Sequence, residues 1–267
     1  MLCVRNCLKT ALPVIGFTAA FWPLAMWYFR RLVDGGDEPM GLAVLLLTAC
    51  MIWKNKQPLH SRPLLASSLF LTYGLIIIFL PQIPPMLRCI PALLTLVFYY
   101  GWQRRPGWMA LLFLSLPVVA SMQFYLGYPM RLVAAEVTHW LLTPWVDGLV
   151  REGTTLSAHG KIVGVDPPCS GIRMLWFGQV ITNIIASLTR MAWPRMIIFN
   201  ITAVGMIILC NSLRATLLYA PESGMFDIPA WAHEGVGILC YLLAAVLLIK
   251  LATWKTSSSQ SRLVSTP

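Results

Sequence analysis

The sequence predicts an all-α integral membrane protein of about eight transmembrane helices, with an outer-side amphipathic helix and a short hairpin leading into a cysteine. Three observations predict it. Of 267 residues, 58% are hydrophobic and 11% charged, with a mean hydropathy of +0.71, too few charges to coat a soluble domain of this size. Apolar segments recur at lengths near the roughly 20 residues a helix needs to cross a bilayer. The basic residues divide unequally between the two ends of those segments.

The predicted spans run over 12–30, 39–53, 64–80, 86–101, 107–126, 170–189, 193–218 and 230–252 within a single polytopic domain of residues 1–267. The second and fourth are short, as tilted or bilayer-thinning helices would be. The first follows Arg5 and Lys9 like a secretion signal, but no small-residue cleavage site follows and Arg30-Arg31 closes it, so a retained span is expected. With the N-terminus cytoplasmic, twelve basic residues fall on the inner side. The other eight (Arg30, Arg31, Arg88, Arg131, Arg151, Lys161, Arg173, Arg214) fall outside with all ten acidic residues. This topology puts both termini in the cytoplasm. The formal net charge of +10 is thus spread among short loops rather than gathered on one face with stacking aromatics, which excludes nucleic-acid binding. The partner it implies is the lipid bilayer, and tryptophans such as Trp22, Trp53, Trp108, Trp193 and Trp231 flank the spans as an interfacial belt.

Between the fifth span and Cys169 lies an outer-side segment, 127–168. Val133, Val137, Trp140 and Leu141 form one apolar stripe over 131–150, predicting a helix in the membrane interface that ends before Pro144. Thr154 to Val165 reads as a hairpin about His159-Gly160. Pro167-Pro168 then stiffens the approach to Cys169. At the other end, residues 255–267 are polar and serine-rich, predicting a disordered cytoplasmic tail.

Chemistry concentrates at one predicted membrane face. Cys169 stands where the chain enters the sixth span, and a helix N-terminus there would favour its thiolate. Ser170 and Gly171 would offer backbone N–H groups to an oxyanion. Arg214 lies roughly 6 Å inside the outer end of the seventh span, an expensive place for a guanidinium that serves no purpose. Asn211, one turn earlier, would support it. His233 opens the eighth span as a proton carrier, with Glu234, Asp227 or Glu222 as its orienting carboxylate. Arg173, one turn after Cys169, is a candidate for substrate binding or for anchoring the span. Singly, such residues also serve packing, snorkelling and structure; three at one face, with Pro-Pro before the thiol and Ser-Gly after it, point to catalysis.

No metal or cofactor is expected. Seven cysteines (Cys3, Cys7, Cys50, Cys89, Cys169, Cys210, Cys240) lack paired metal-type spacing, and Cys3 and Cys7 read as cytoplasmic thiols. His139 with Glu136 makes only two ligands.

Pro168-Cys169-Ser170-Gly171-Ile172-Arg173, then Asn211-Ser212-Leu213-Arg214, then His233-Glu234-Gly235-Val236-Gly237 resemble the motifs of the exosortase and archaeosortase family of membrane transpeptidases. The match covers roughly residues 150–245. The resemblance implies a cysteine peptidase or transpeptidase of the bacterial inner membrane, with its active site on the periplasmic side and Cys169 as acylated nucleophile. Arg214 would be the transition-state arginine and His233 the acid/base. It also implies substrate proteins carrying a C-terminal motif, apolar helix and basic cluster (Pro-Glu-Pro in the best-known form), and a glycan or lipid acceptor. Asp166-Pro167-Pro168 departs from the smaller residues expected before the thiol, so a different motif is anticipated. The competing class is a transporter or export component of a surface-polysaccharide system, against which the chain shows no repeat and no matched helix breaks.

Overall fold

A computed structural model describes residues 2–33, 40–55, 60–225 and 229–264. Asp227 lies outside the described residues, as do the side chains of Cys3 and Cys7. Among the described residues, nine α-helices and a three-stranded sheet follow one another as α1 (Leu2–Val33), α2 (Met40–Lys54), α3 (Pro63–Phe79), α4 (Pro85–Tyr99), α5 (Pro106–Leu114), α6 (Val119–Leu142), β1 (Val150–Glu152), β2 (Thr155–Ala158), β3 (Lys161–Gly164), α7 (Ile172–Leu188), α8 (Trp193–Glu222) and α9 (Ala230–Val264). Prolines set several starts: Pro63, Pro85 and Pro106 open α3, α4 and α5, where a missing N–H costs nothing.

Two helical stretches, Trp193–Glu222 and Trp231–Thr253, are long and apolar enough to cross a bilayer, and α5 with α6 would make a third as a broken span. Helices α2, α3, α4 and α7 are apolar but shorter. The expected fifth span, 107–126, is not continuous. The chain leaves helix at Ser115 because Pro117 disfavours helical geometry at Leu116 and has no N–H to donate. Its second half joins the expected interfacial helix as the single helix α6, which accommodates Pro129 internally and stops before Pro144. Helix α9 runs from Ala230 to Val264, past the end of the eighth apolar segment.

Two compact units divide the chain. The first holds α1 to α4 with residues 109–117. Leu24, Tyr73, Cys89 and Ala92 form a buried cluster there, and Tyr28 and Tyr73 donate their hydroxyls to the carbonyls of Ser115 and Ala20 at 3.0 and 3.2 Å.

The second unit positions the chemistry. Met174 and Leu175 of α7, Ala203, Ile207 and Cys210 of α8, and Ala244 and Leu248 of α9 make one apolar core, with Met122 and Met130 of α6 against it. Helices α7 and α8 approach closely at Gly178, where an added Cβ would lie 2.2 Å from Cδ1 of Ile207. Asn183 of α7 donates to Asn200 of α8 at 2.9 Å, a polar link of the sort that joins helices away from water. Outward residues such as Ile201, Leu209 and Leu239 are more than 60% exposed, an apolar surface suited to lipid rather than water.

The predicted hairpin is present as β2 and β3. His159 and Gly160 both have positive φ, 51° and 75°, the geometry of the tight turn that matches strand twist. Strand β1, which the sequence reading did not anticipate, pairs antiparallel with β2 to give the order β1-β2-β3. Leu156, Ala158 and Val163 pack beneath the sheet against Val146, Leu149 and Tyr219 of α8. Arg151 and Glu136 pair at 2.5 Å, tying β1 to α6.

Candidate active site

Chain order brings the sheet directly to Cys169. After β3, Asp166 leads into a single 3-10 turn, Pro167–Ser170, whose Cys169 amide donates to the Asp166 carbonyl at 2.8 Å. Gly171 then reverses into the left-handed region, φ 78°, and caps α7. That reversal explains the glycine twice over. A side chain would be strained at such a φ, and an added Cβ would stand 2.5 Å from Cγ of Asn211. Asn211 uses the space to donate from Nδ2 to the Cys169 carbonyl at 3.2 Å. Asn211 therefore braces the turn that carries Cys169; the sequence reading expected it to support Arg214. Ser170 is buried and donates to Oε1 of Gln123 at 2.9 Å, anchoring the same turn to α6.

A stripe of α8 with helical spacing, Asn211, Arg214, Ala215, Leu218, Tyr219 and Glu222, lines a small cavity with Thr138 and Cys169. Its volume is ≈ 20 Å³, room for about one water, so a peptide must enter by widening it or by lying across its mouth. Arg214 and Cys169 line this cavity together, close enough for the guanidinium to pull the thiol's pKa down. On its far side the guanidinium lies over Gly237 of α9, where a Cβ would come within 3.2 Å of Nε. Gly237 thus opens the passage between α8 and α9 that the arginine fills.

Opposing influences act on the sulfur. Burial pushes the Cys169 thiol above its ordinary value; Arg214 pulls it down by charge and hydrogen bond, while the Glu222 and Asp166 carboxylates push it up. The rise wins. Cys169 rests as a thiol.

His233 stands at the start of α9, one helical turn before Gly237. Its Nε2 lies 3.1 Å from Oε1 of Glu222, the last residue of α8. Of the two described carboxylates considered from sequence, Glu222 meets the ring, and Glu234 is exposed. The structure therefore joins Cys169 to Arg214 and His233 to Glu222, with Glu222 reaching both pairs as a lining residue of the Cys169 cavity. Arg173 is exposed and is not brought to that cavity.

Sequence reasoning missed Gln123 and Thr138. Gln123 had one visible cue, a lone amide within the apolar run Val119 to Leu126. Thr138 donates to the Ser212 carbonyl at 3.3 Å and looks like any helical threonine in sequence. His139 approaches the Leu149 carbonyl through Nε2 at 3.2 Å, and no group of three metal-ligating side chains occurs among the described residues.

Comparison with known proteins agrees with the motifs. The model of the transmembrane exosortase family (Exosortase_EpsH) matches residues 33–250. No curated protein and no solved structure matches the chain. A match that runs from the end of α1 into α9, across every element of the site, means that the chain belongs to the transmembrane exosortase family and carries the general role of a membrane transpeptidase acting on membrane-associated proteins.

Proposed function

We propose that this protein is a membrane-embedded cysteine transpeptidase or protease that cleaves a C-terminal sorting signal through a thioester and passes the protein to a cell-surface glycan or lipid. The observation that carries the reading is the placing of Arg214 and the half-buried Cys169 on one small cavity, where the guanidinium's charge bears on the thiol. Arginine cannot serve as a base, but it stabilises a thiolate and then a tetrahedral oxyanion.

Because Cys169 rests as a thiol, a base must remove its proton before attack. His233 is that base. Sulfur then adds to the scissile carbonyl beside Arg214, the tetrahedral intermediate collapses to a thioester, and the imidazolium returns the proton to the departing amine. A glycan or lipid nucleophile, or water, attacks the thioester and restores the thiol. Substrates present a recognition motif, an apolar helix that lies beside the bundle, and a basic cluster held on the cytoplasmic side. In this reading all eight apolar segments span, both termini are cytoplasmic, and Cys169 lies on the periplasmic side of the bacterial inner membrane.

The experiment is Cys169→Ala and Cys169→Ser in cells that express the protein with a candidate substrate bearing such a C-terminal signal. Both variants are expected to accumulate uncleaved substrate at undiminished enzyme levels. Normal cleavage in either would overturn the reading and favour a transporter or scaffold.

A further inference from the structure

We propose that Glu222 is a positioning residue that sets the ring of His233 and links it to the Cys169–Arg214 pair, a step that rests on the catalytic reading above. The geometry is specific. Glu222 ends α8 on the stripe that carries Arg214, two turns earlier, and its carboxylate meets Nε2 of His233 across the α8–α9 junction at 3.1 Å. Glu222 also lines the cavity that holds the sulfur, and its charge is felt there.

Its chemistry follows from the imidazole. A carboxylate has only acceptor capacity, so the contact assigns the Nε2 proton to the ring and leaves the lone pair on Nδ1. Nδ1 is then the atom that accepts the thiol proton. The imidazolium so formed keeps its Nε2–H on Glu222, which remains ionised, and Nδ1–H is the proton delivered to the leaving amine. No proton is left over: the thiol loses one, the amine gains it, and Glu222 exchanges none.

Glu222 also acts on the sulfur directly. Its negative charge opposes thiolate formation, as does that of Asp166, against the attraction of Arg214. Holding the thiol protonated until His233 takes the proton keeps the nucleophile silent in the resting enzyme. Among the described residues, charged groups near this corner include Glu234, beside the ring in sequence, and Lys161, whose Nζ would lie 3.3 Å from a Cβ added at Gly224.

The test uses the full-length protein in membranes, with Glu222→Gln and Glu222→Ala read by substrate cleavage and by the rate at which a small haloacetamide alkylates Cys169. Gln keeps an acceptor for Nε2–H and removes the charge; Ala removes both. Cleavage is expected to fall about tenfold or more in Glu222→Ala and less in Glu222→Gln, in kcat rather than KM. Alkylation of Cys169 at neutral pH is expected to become faster in both, its pH midpoint moving down. Turnover and thiol reactivity thus move in opposite directions, which loss of fold does not produce. Unchanged cleavage in Glu222→Ala, or a parallel fall in cleavage and alkylation, overturns the assignment. The two readings fail separately: if Cys169→Ala is inactive while Glu222→Ala is fully active, only the role of Glu222 is lost, whereas an active Cys169→Ala removes the catalytic reading itself.

Discussion

Arg214 and Glu222 act on one sulfur with opposite sign, and the balance between them is measurable. Removing the guanidinium in Arg214→Ala takes away the charge and hydrogen bond that lower the thiol's pKa, so alkylation of Cys169 should slow at neutral pH and its midpoint should climb. Cleavage should fall by about 10² or more as the oxyanion loses its donor, and Arg214→Lys should recover only part, since one ammonium does not reproduce the guanidinium fork. In the unmodified protein the alkylation rate should still be rising above the pH at which an ordinary thiol has levelled off, because burial raises Cys169. Gly171→Ala tests the turn that aims the sulfur. The left-handed φ costs about 1–2 kcal/mol for a residue with a Cβ, and the 2.5 Å approach to Asn211 adds a clash, so cleavage should be lost while the bundle still folds. Circular dichroism in detergent and the substrate assay separate the two outcomes. These local roles were only partly legible. Gly171 and Asn211 stand in motifs that anyone reading the chain would mark, but their contact joins positions far apart in sequence, and neither hints at the other.

At the scale of elements, the helices of the second unit are held by close packing rather than by a dry–wet divide, since lipid offers them no hydrophobic drive. The Gly178–Ile207 approach makes this testable. Gly178→Ala places a methyl against Cδ1 of Ile207, and overpacking of this kind costs about 1–3 kcal/mol. Ile207→Val removes Cδ1 but leaves a γ carbon 2.9 Å from the added Cβ, so the double variant should regain part of the stability lost, a coupling visible as a non-additive shift in thermal melting in detergent. Element positions were largely readable, because an apolar run long enough to leave water must satisfy its own backbone and so becomes a helix. The hairpin was readable for a different reason: His159-Gly160 supplies two residues tolerant of positive φ between alternating strands. Strand β1 was not, since Val150-Arg151-Glu152 has no alternation longer than itself and becomes a strand only by pairing with β2. The break at 115–118 shows the same limit. Pro117 and Pro129 lie in similar apolar surroundings, yet one ends a helix and the other is absorbed into α6.

For the whole molecule, the membrane topology proposed from charge has a direct check. In a variant retaining one cysteine at a time, an impermeant thiol reagent applied to intact cells should modify Cys169 and spare Cys3, and permeabilisation should expose Cys3. Modification of Cys3 from outside would reverse the assigned orientation. Membrane character, the approximate place of each helix and the three motifs could all be read from residue order, because they depend on composition and on spacing along a single element. The partner of His233 and the protonation of Cys169 could not. Each depends on which groups α8 and α9 bring together and how far water is excluded between them, and such distances are set by packing among segments the chain order leaves far apart.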